Sequence, residues 1–349
     1  IGTLATNTVA RREIDPTDME ELSTASYGSA INQAIFRPLI EKWCQTAMTR
    51  LDGRYFASRL HSKLEIGAVT GYIRRLASST LDRLTRGDRA SRSADGPEQS
   101  SESGGIPPAH GYSGSIGARI VPDRLAGAVR PPAIHTDLPV TRLGVQKGRI
   151  VWVEAGGREI RPDFVISTIP LNRLAAMMVG SHRLKGLEAI SYLNILFVFV
   201  RIARPSLLKT EWTWIPDPGI PFYRMSEMKV LNPDHAPANA TGLCLEVSFL
   251  ANDRRRGAPD TFWKKQTLDF LNRTFGIKPG EIMGMTIERR TDAYPNFDKK
   301  NTSLIARYVK RAYKPRHTVH AFDLGIENLA LAGRAGTFLY LLTPEAIRS

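Results

Sequence analysis

Near its carboxyl end the chain runs from an apolar segment, Asn328-Leu-Ala-Leu-Ala, straight into Gly333-Arg-Ala-Gly336. A strand that stops on Gly-Arg-x-Gly brings backbone N–H groups and a guanidinium to the carboxyl edge of a sheet, where α/β folds hold dinucleotide phosphates. Gly333 and Gly336 allow close approach of the main chain to a ligand. The competing reading is an ordinary strand-to-helix turn, and these residues alone weigh the two evenly. A second group lies in a Pro-rich, aromatic stretch: Trp212, Trp214, Tyr223, Arg224 and Glu227. Rings there would shape a small-molecule pocket and Arg224 would hold an anionic group; the alternative is a packed loop.

Other chemistries find less support. His317 and His320 are three apart without a third ligand, so no metal is expected. Ser113 and Ser115 sit among glycines but form no G-x-S-x-G elbow. No side chain stands out as a catalytic acid, base or nucleophile. That is what redox work done by a cofactor would leave.

Several elements must position these groups. Residues 13 to 43 read as helical, with Asp15-Pro16 as the start and Asp18 and Glu20 at the positive end of the dipole. Ile31, Ile35 and Leu39 mark an apolar face, Pro38 is a point of interruption, and Phe56, Leu60 and Leu64 continue the pattern toward Ile73. Arg86 to Tyr112 is nearly free of apolar residues and reads as a disordered insertion. A helical stretch through Leu125 and Val129 follows. A small antiparallel meander comes next, with strands at 134–143, 149–154 and 164–167 and turns at Gly144 to Gly148 and at Gly156-Gly157. Residues 193–202 form an apolar strand and 243–250 an alternating one. A helix spans 260–275 with Gly276 as its stop, and another is expected from Thr343.

Composition bounds the rest. The 349 residues are enough for about two domains. The longest apolar stretch, Tyr192 to Ile202, is too short for the roughly 18–20 residues that span a bilayer, so no transmembrane segment is expected. Cys44 and Cys244 are far apart and form no CxxC pair, which fits a reducing cytoplasm. The net charge of +14 has no nucleic-acid motif beside it, so nucleic acid is not an expected partner. A solvated basic surface accounts for it, with an anionic ligand such as a nucleotide or diphosphate as the sharper reading.

Four segments together resemble the FAD-dependent amine oxidase and protoporphyrinogen oxidase-like superfamily, which includes UDP-galactopyranose mutase-like proteins. They are Phe36-Arg-Pro-Leu-Ile-Glu-Lys-Trp43; Pro139-Val-Thr-Arg-Leu143 with Asp163-Phe-Val-Ile-Ser-Thr-Ile-Pro-Leu171; Ala293-Tyr-Pro-Asn-Phe297; and Leu329 to Ile347. The resemblance implies FAD as cofactor and roles for particular residues. Val140 would pair its backbone with the adenine, and Thr168 and Pro170 would line the adenosine side. Gly333 with Arg334, helped by Gly336, would face the pyrophosphate, and Phe338 and Tyr340 would lie near the flavin ring. The family's opening strand, G-x-G-x-x-G turn and helix find no counterpart, since Gly111-x-x-Gly114-x-x-Gly117 has the wrong spacing. A chain that starts at Ile fits a sequence beginning partway into a gene product, its missing unit supplied by another chain.

The fold class implied is mixed α/β: a Rossmann-like FAD/NAD(P)-binding remnant plus an antiparallel-sheet and helix substrate domain. The expected division gives 1–85 and 172–325 to the substrate domain, 86–112 to the insertion, and 113–171 and 326–349 to the FAD-binding part. The leading function is hydride transfer from substrate to flavin. The alternatives are a flavin-dependent isomerase acting on a nucleotide sugar, and a non-catalytic binding module.

Overall fold

The computed structural model describes residues 15, 17–56, 117–130, 133–180, 184, 186–311 and 321–339. The expected insertion at 86–112, the His317/His320 pair and the helix from Thr343 lie outside these. Asp18, rather than the Asp15-Pro16 pair, caps α1 (Met19–Tyr27), the first helix among the described residues. Its carboxylate accepts the N–H groups of Glu20 at 2.9 Å and Glu21 at 3.0 Å, two of the donors a helix start leaves open. Residues 29–31 continue helically into a π turn, Asn32–Phe36, and then α2 (Arg37–Cys44). Pro38 stands in the first turn of α2 and has no N–H to give, so the ladder widens by one residue just before it.

Strands β1 (Val140–Gln146), β2 (Arg149–Ala155) and β3 (Arg158–Ile160) form the antiparallel meander. The first turn is only Lys147-Gly148, both at positive φ, which suits a tight hairpin. Gly144 is not part of that turn. It lies within β1 under Trp152, where an added Cβ would fall 2.1 Å from the indole ring. β4 (Val165–Ser167) leaves the meander altogether, and α3 (Leu171–Met177) then carries the chain to β5 (Met178–Gly180), parallel to β1.

A five-stranded antiparallel sheet follows, built from β6 (Tyr192–Ile202), β7 (Trp212–Trp214), β8 (Arg224–Glu227), β9 (Thr241–Phe249) and β10 (Ile282–Pro295). Its order is β10-β6-β9-β8-β7. Helix α4 (Asp260–Phe275) covers one face, burying Trp263, Phe270 and Leu271 against Leu196, Val198, Val200, Leu245 and Val247. It stops at Gly276, whose φ of 64° lets its N–H return to Asn272 at 2.8 Å. The chain then passes through α5 (Lys299–Ala306), the short pair β11 (Val309–Arg311) and β12 (Ala321–Phe322), β13 (Leu329–Leu331) and α6 (Gly333–Thr337). β13 pairs in parallel with β4.

The fold is mixed α/β with two buried clusters. One lies between the five-stranded sheet and α4. The other joins α1 and α2 to the meander, α3 and the aromatic residues around Phe338. Among the described residues no helix is long and apolar enough to cross a membrane.

Candidate functional site

The parallel pair β4–β13 sets the first half of the site. Leu329 faces Val165 and Leu331 faces Ser167, so both strands deliver their carboxyl ends to the same edge. Asn328 fixes the approach: its buried amide bonds both backbone groups of Ile150, at 2.8 and 3.0 Å, and the Asp163 carbonyl at 3.2 Å. Beyond the strands, the Ala332 N–H reaches the Ser167 carbonyl at 2.9 Å and Gly333 turns the chain at a φ of 70°. Gly336 then comes so close to β4 that a Cβ would lie 2.8 Å from the Ser167 oxygen. Tyr192, at the head of β6, reaches across: its hydroxyl accepts the Leu171 N–H at 2.9 Å and donates to the Ala335 carbonyl at 3.0 Å.

Aromatic rings form the second half. Arg334 lies 4.9 Å over the Tyr294 ring, an attractive cation–π distance. Tyr294 meets Trp43 at 6.0 Å, and Trp43 in turn neighbours Trp214 at 6.2 Å and Tyr223 at 6.5 Å. A continuous file of rings therefore leads from the Gly333 turn to the β7–β8 hairpin. Tyr294 owes its position to a bulge: between Arg290 and Tyr294 strand β10 advances four residues while β6 advances two, with Asp292 at a φ of 52°. Trp43 is held by its own carbonyl, which accepts from Ser248 Oγ at 2.6 Å. The adjacent Lys42 Nζ donates to the carbonyls of Ile215, Asp217 and Phe222 at 2.7, 2.5 and 3.2 Å, pinning the hairpin loop to α2. Burial lowers the Lys42 ammonium to about 8, with Asp217 opposing the shift.

Beneath Trp214 lies a buried ionic group. Glu246 accepts the Tyr223 hydroxyl and both Nε and Nη2 of Arg224 at 2.8 Å. The guanidinium also stands 5.2 Å over the Trp214 ring. Burial works against the Arg224 charge, but the Glu246 carboxylate together with Tyr223 and Tyr294 raises the guanidinium on balance. The Tyr223 hydroxyl is pushed well up by burial and by Glu246.

These contacts place the residues singled out from the sequence. Thr168 lies against Gly333, with its Cβ 3.9 Å from where a Gly333 Cβ would be. Pro170 precedes α3 and its carbonyl accepts the Leu174 N–H at 3.0 Å. Val140 opens β1 opposite Ala155 and is exposed. Phe338 has no exposed surface and is ringed by Tyr55, Tyr192 and Phe297, so it shapes the site from beneath. Tyr340 lies outside the described residues. Trp212 and Trp214 share the open face of β7. Two expectations change. Arg224, expected to hold an anion, is already paired with Glu246. Glu227, expected in the pocket, is wholly buried at the far end of β8, where it accepts from the N–H groups of Leu207 and Leu208 and from Thr241 Oγ1.

Trp43, Tyr192, Lys42, Tyr294 and Glu246 escaped a reading by residue type. For Glu246 a signal existed: a carboxylate in the middle of the apolar run Leu243 to Phe249 cannot be buried without partners.

Residues 6–349 match the family model described as flavin containing amine oxidoreductase. Among solved structures, the fold is similar to reduced UDP-galactopyranose mutase, with a TM-score of 0.68 and 15% identity over 97% of this chain and 67% of that one. It is also similar to a protein described as a protoporphyrinogen oxidase from Exiguobacterium sp. 255-15, with a TM-score of 0.62 and 17% identity over 98% of this chain and 66% of that one. The chain thus spans about two thirds of the length of those structures, and at such identities the likeness is one of fold. No curated protein matches the sequence.

Proposed function

Because the chain belongs to the flavin-containing amine oxidoreductase family, whose cofactor is FAD, we propose that it serves an oxidoreductase reaction in which a substrate hydride passes to the flavin. The observation that carries this reading is the convergence of the β4 and β13 carboxyl ends at Ser167-Thr168 and Gly333-Arg334. The residues fit the cofactor. Among the described residues Ser167 Oγ is buried without a hydrogen-bond partner at that edge, and a Cβ at Gly333 would meet nothing nearer than Thr168 Cβ at 3.9 Å, which leaves space for a phosphate to approach. Thr168 and the Gly333–Gly336 turn would hold the diphosphate, with Arg334 supplying positive charge. Bound there, FAD supplies the two-electron acceptor. Trp214 and Tyr294 would wall the reacting substrate, while Lys42 keeps the hairpin that carries Trp214 in place. The division of the chain into FAD-binding and substrate parts belongs to this proposal.

The isomerase alternative needs free cations to grip a nucleotide diphosphate, and the pairing of Arg224 with Glu246 weighs against it. We also propose that further sheet completes the β4–β13 pair. Among the described residues that pair is a sheet of only two strands, too small to be stable by itself, and Phe164, just before β4, and Ile166, within it, are 55% and 66% exposed. A separate chain with a G-x-G-x-x-G unit is one source of that sheet.

The test is a flavin titration of the purified protein, followed by anaerobic reduction with candidate substrates. FAD bound in equimolar amount and bleached by an amine or porphyrinogen supports the oxidoreductase. Binding of a UDP-sugar to the reduced protein supports the isomerase instead. A protein that takes up no FAD, alone or with an added G-x-G-x-x-G unit, leaves only the non-catalytic module.

A further inference from the structure

One hydroxyl touches both lips of the crevice. The Leu171 N–H belongs to the turn that follows β4, and the Ala335 carbonyl to the turn that follows β13; the Tyr192 phenol oxygen is bonded to each, at 2.9 and 3.0 Å. Leu171 starts α3, whose preceding residue, Pro170, offers no side-chain cap. The phenol therefore serves as the acceptor a helix start requires. The ring cannot swing away, since it is 2% exposed and packs edge-on to Phe338 at 5.5 Å. Burial raises the hydroxyl above the ordinary tyrosine range, so it stays a donor at neutral pH.

We propose that Tyr192 is a positioning residue that locks the two turns together and so presets the spacing between Thr168 and Gly333–Arg334. A ligand entering a preset crevice does not have to order it, and affinity is gained by that saving. The affinity part of the proposal rests on reading the crevice as the flavin site; the mechanical part does not.

The experiment compares wild type with Tyr192→Phe, which removes the hydroxyl and keeps the ring. Hydrogen exchange should quicken together at residues 171–174 and 335–339, by about tenfold in each. FAD affinity, read by quenching of flavin fluorescence, should weaken by about tenfold while the fold is retained. Leu271→Ala is the control: Leu271 is fully buried in the other cluster, between the five-stranded sheet and α4, and is bonded to neither lip. It should lower the melting temperature and leave both readouts unmoved. Loosening of only one lip, or unchanged protection in both, overturns the proposal. Equal losses in the Leu271 control overturn it too. Concerted loosening in a protein that binds no FAD upholds the lock and removes the flavin reading instead. Should Tyr192→Phe not fold, the wild type answers alone: the two segments must exchange through a single common opening as denaturant is raised, and separate openings reject the lock.

Discussion

Glu246 is 3% exposed in mid-strand and faces an arginine whose side chain is 25% exposed. Taking one partner from such a pair leaves a charge in low dielectric with its solvation unrecovered. Glu246→Ala should therefore cost about 3–5 kcal/mol in denaturant unfolding. Glu246→Gln keeps one acceptor and should lose less, whereas Glu246→Ala behaving like wild type would mean that water reaches Arg224. Lys42 gives a pH signature of definite sign. Its folded value is about 8 against 10.5 in a free chain. Between those values the unfolded chain holds a proton the folded one has shed, so this group adds stability as pH rises from 8 to 10.5. The difference in unfolding free energy between wild type and Lys42→Met, followed by urea titration over that range, should shift in favour of wild type. A flat difference would show that Lys42 stays charged among its three carbonyls.

At the level of elements, two glycines in one turn should behave differently. Gly333 owes its place to a φ of 70°, whereas Gly336 owes its own to contact with the Ser167 carbonyl. Gly333→Ala carries the left-handed cost of about 1–2 kcal/mol. Gly336→Ala must push α6 away from the end of β4 and should cost at least as much, about 1–3 kcal/mol. Only the second should also loosen Thr168 from the turn. Melting curves with exchange at residues 165–168 separate the two, and equal protection in both variants refutes the packing argument. The end of β13 at Gly333 was legible in the sequence because the apolar run stops there on a glycine. So were the α4 boundaries and the 192–202 strand, where apolar period and a glycine stop agree. β10 was not legible: Glu288, Arg289 and Arg290 make it read as loop, and its bulge moves Tyr294 by a register no periodicity records. The meander's third strand hid for a related reason, since Arg158 to Ile160 is short, exposed and at an edge. Side-chain bridges such as that of Tyr192 depend on tertiary approach and leave no local trace.

Across the whole molecule, charge works differently from the way it works inside the site. Close at hand, Arg224, Arg173 and Arg204 are paired with Glu246, Asp292 and Glu281, and such pairs cancel within a few ångströms. Farther out only the sum of +14 is felt, and it draws in any anion. A diphosphate-bearing cofactor should therefore arrive quickly at low salt, with the advantage fading once the screening length drops to about 10 Å near 0.1 M. The association rate of FAD, measured by stopped-flow fluorescence, should fall by about tenfold from low to high salt, while the dissociation rate changes little. Arg334→Gln should do the reverse, since it leaves the net field almost intact and removes a local partner, so its effect should appear in dissociation. An association rate indifferent to salt would mean that the basic surface faces away from the crevice and has no part in capturing the cofactor.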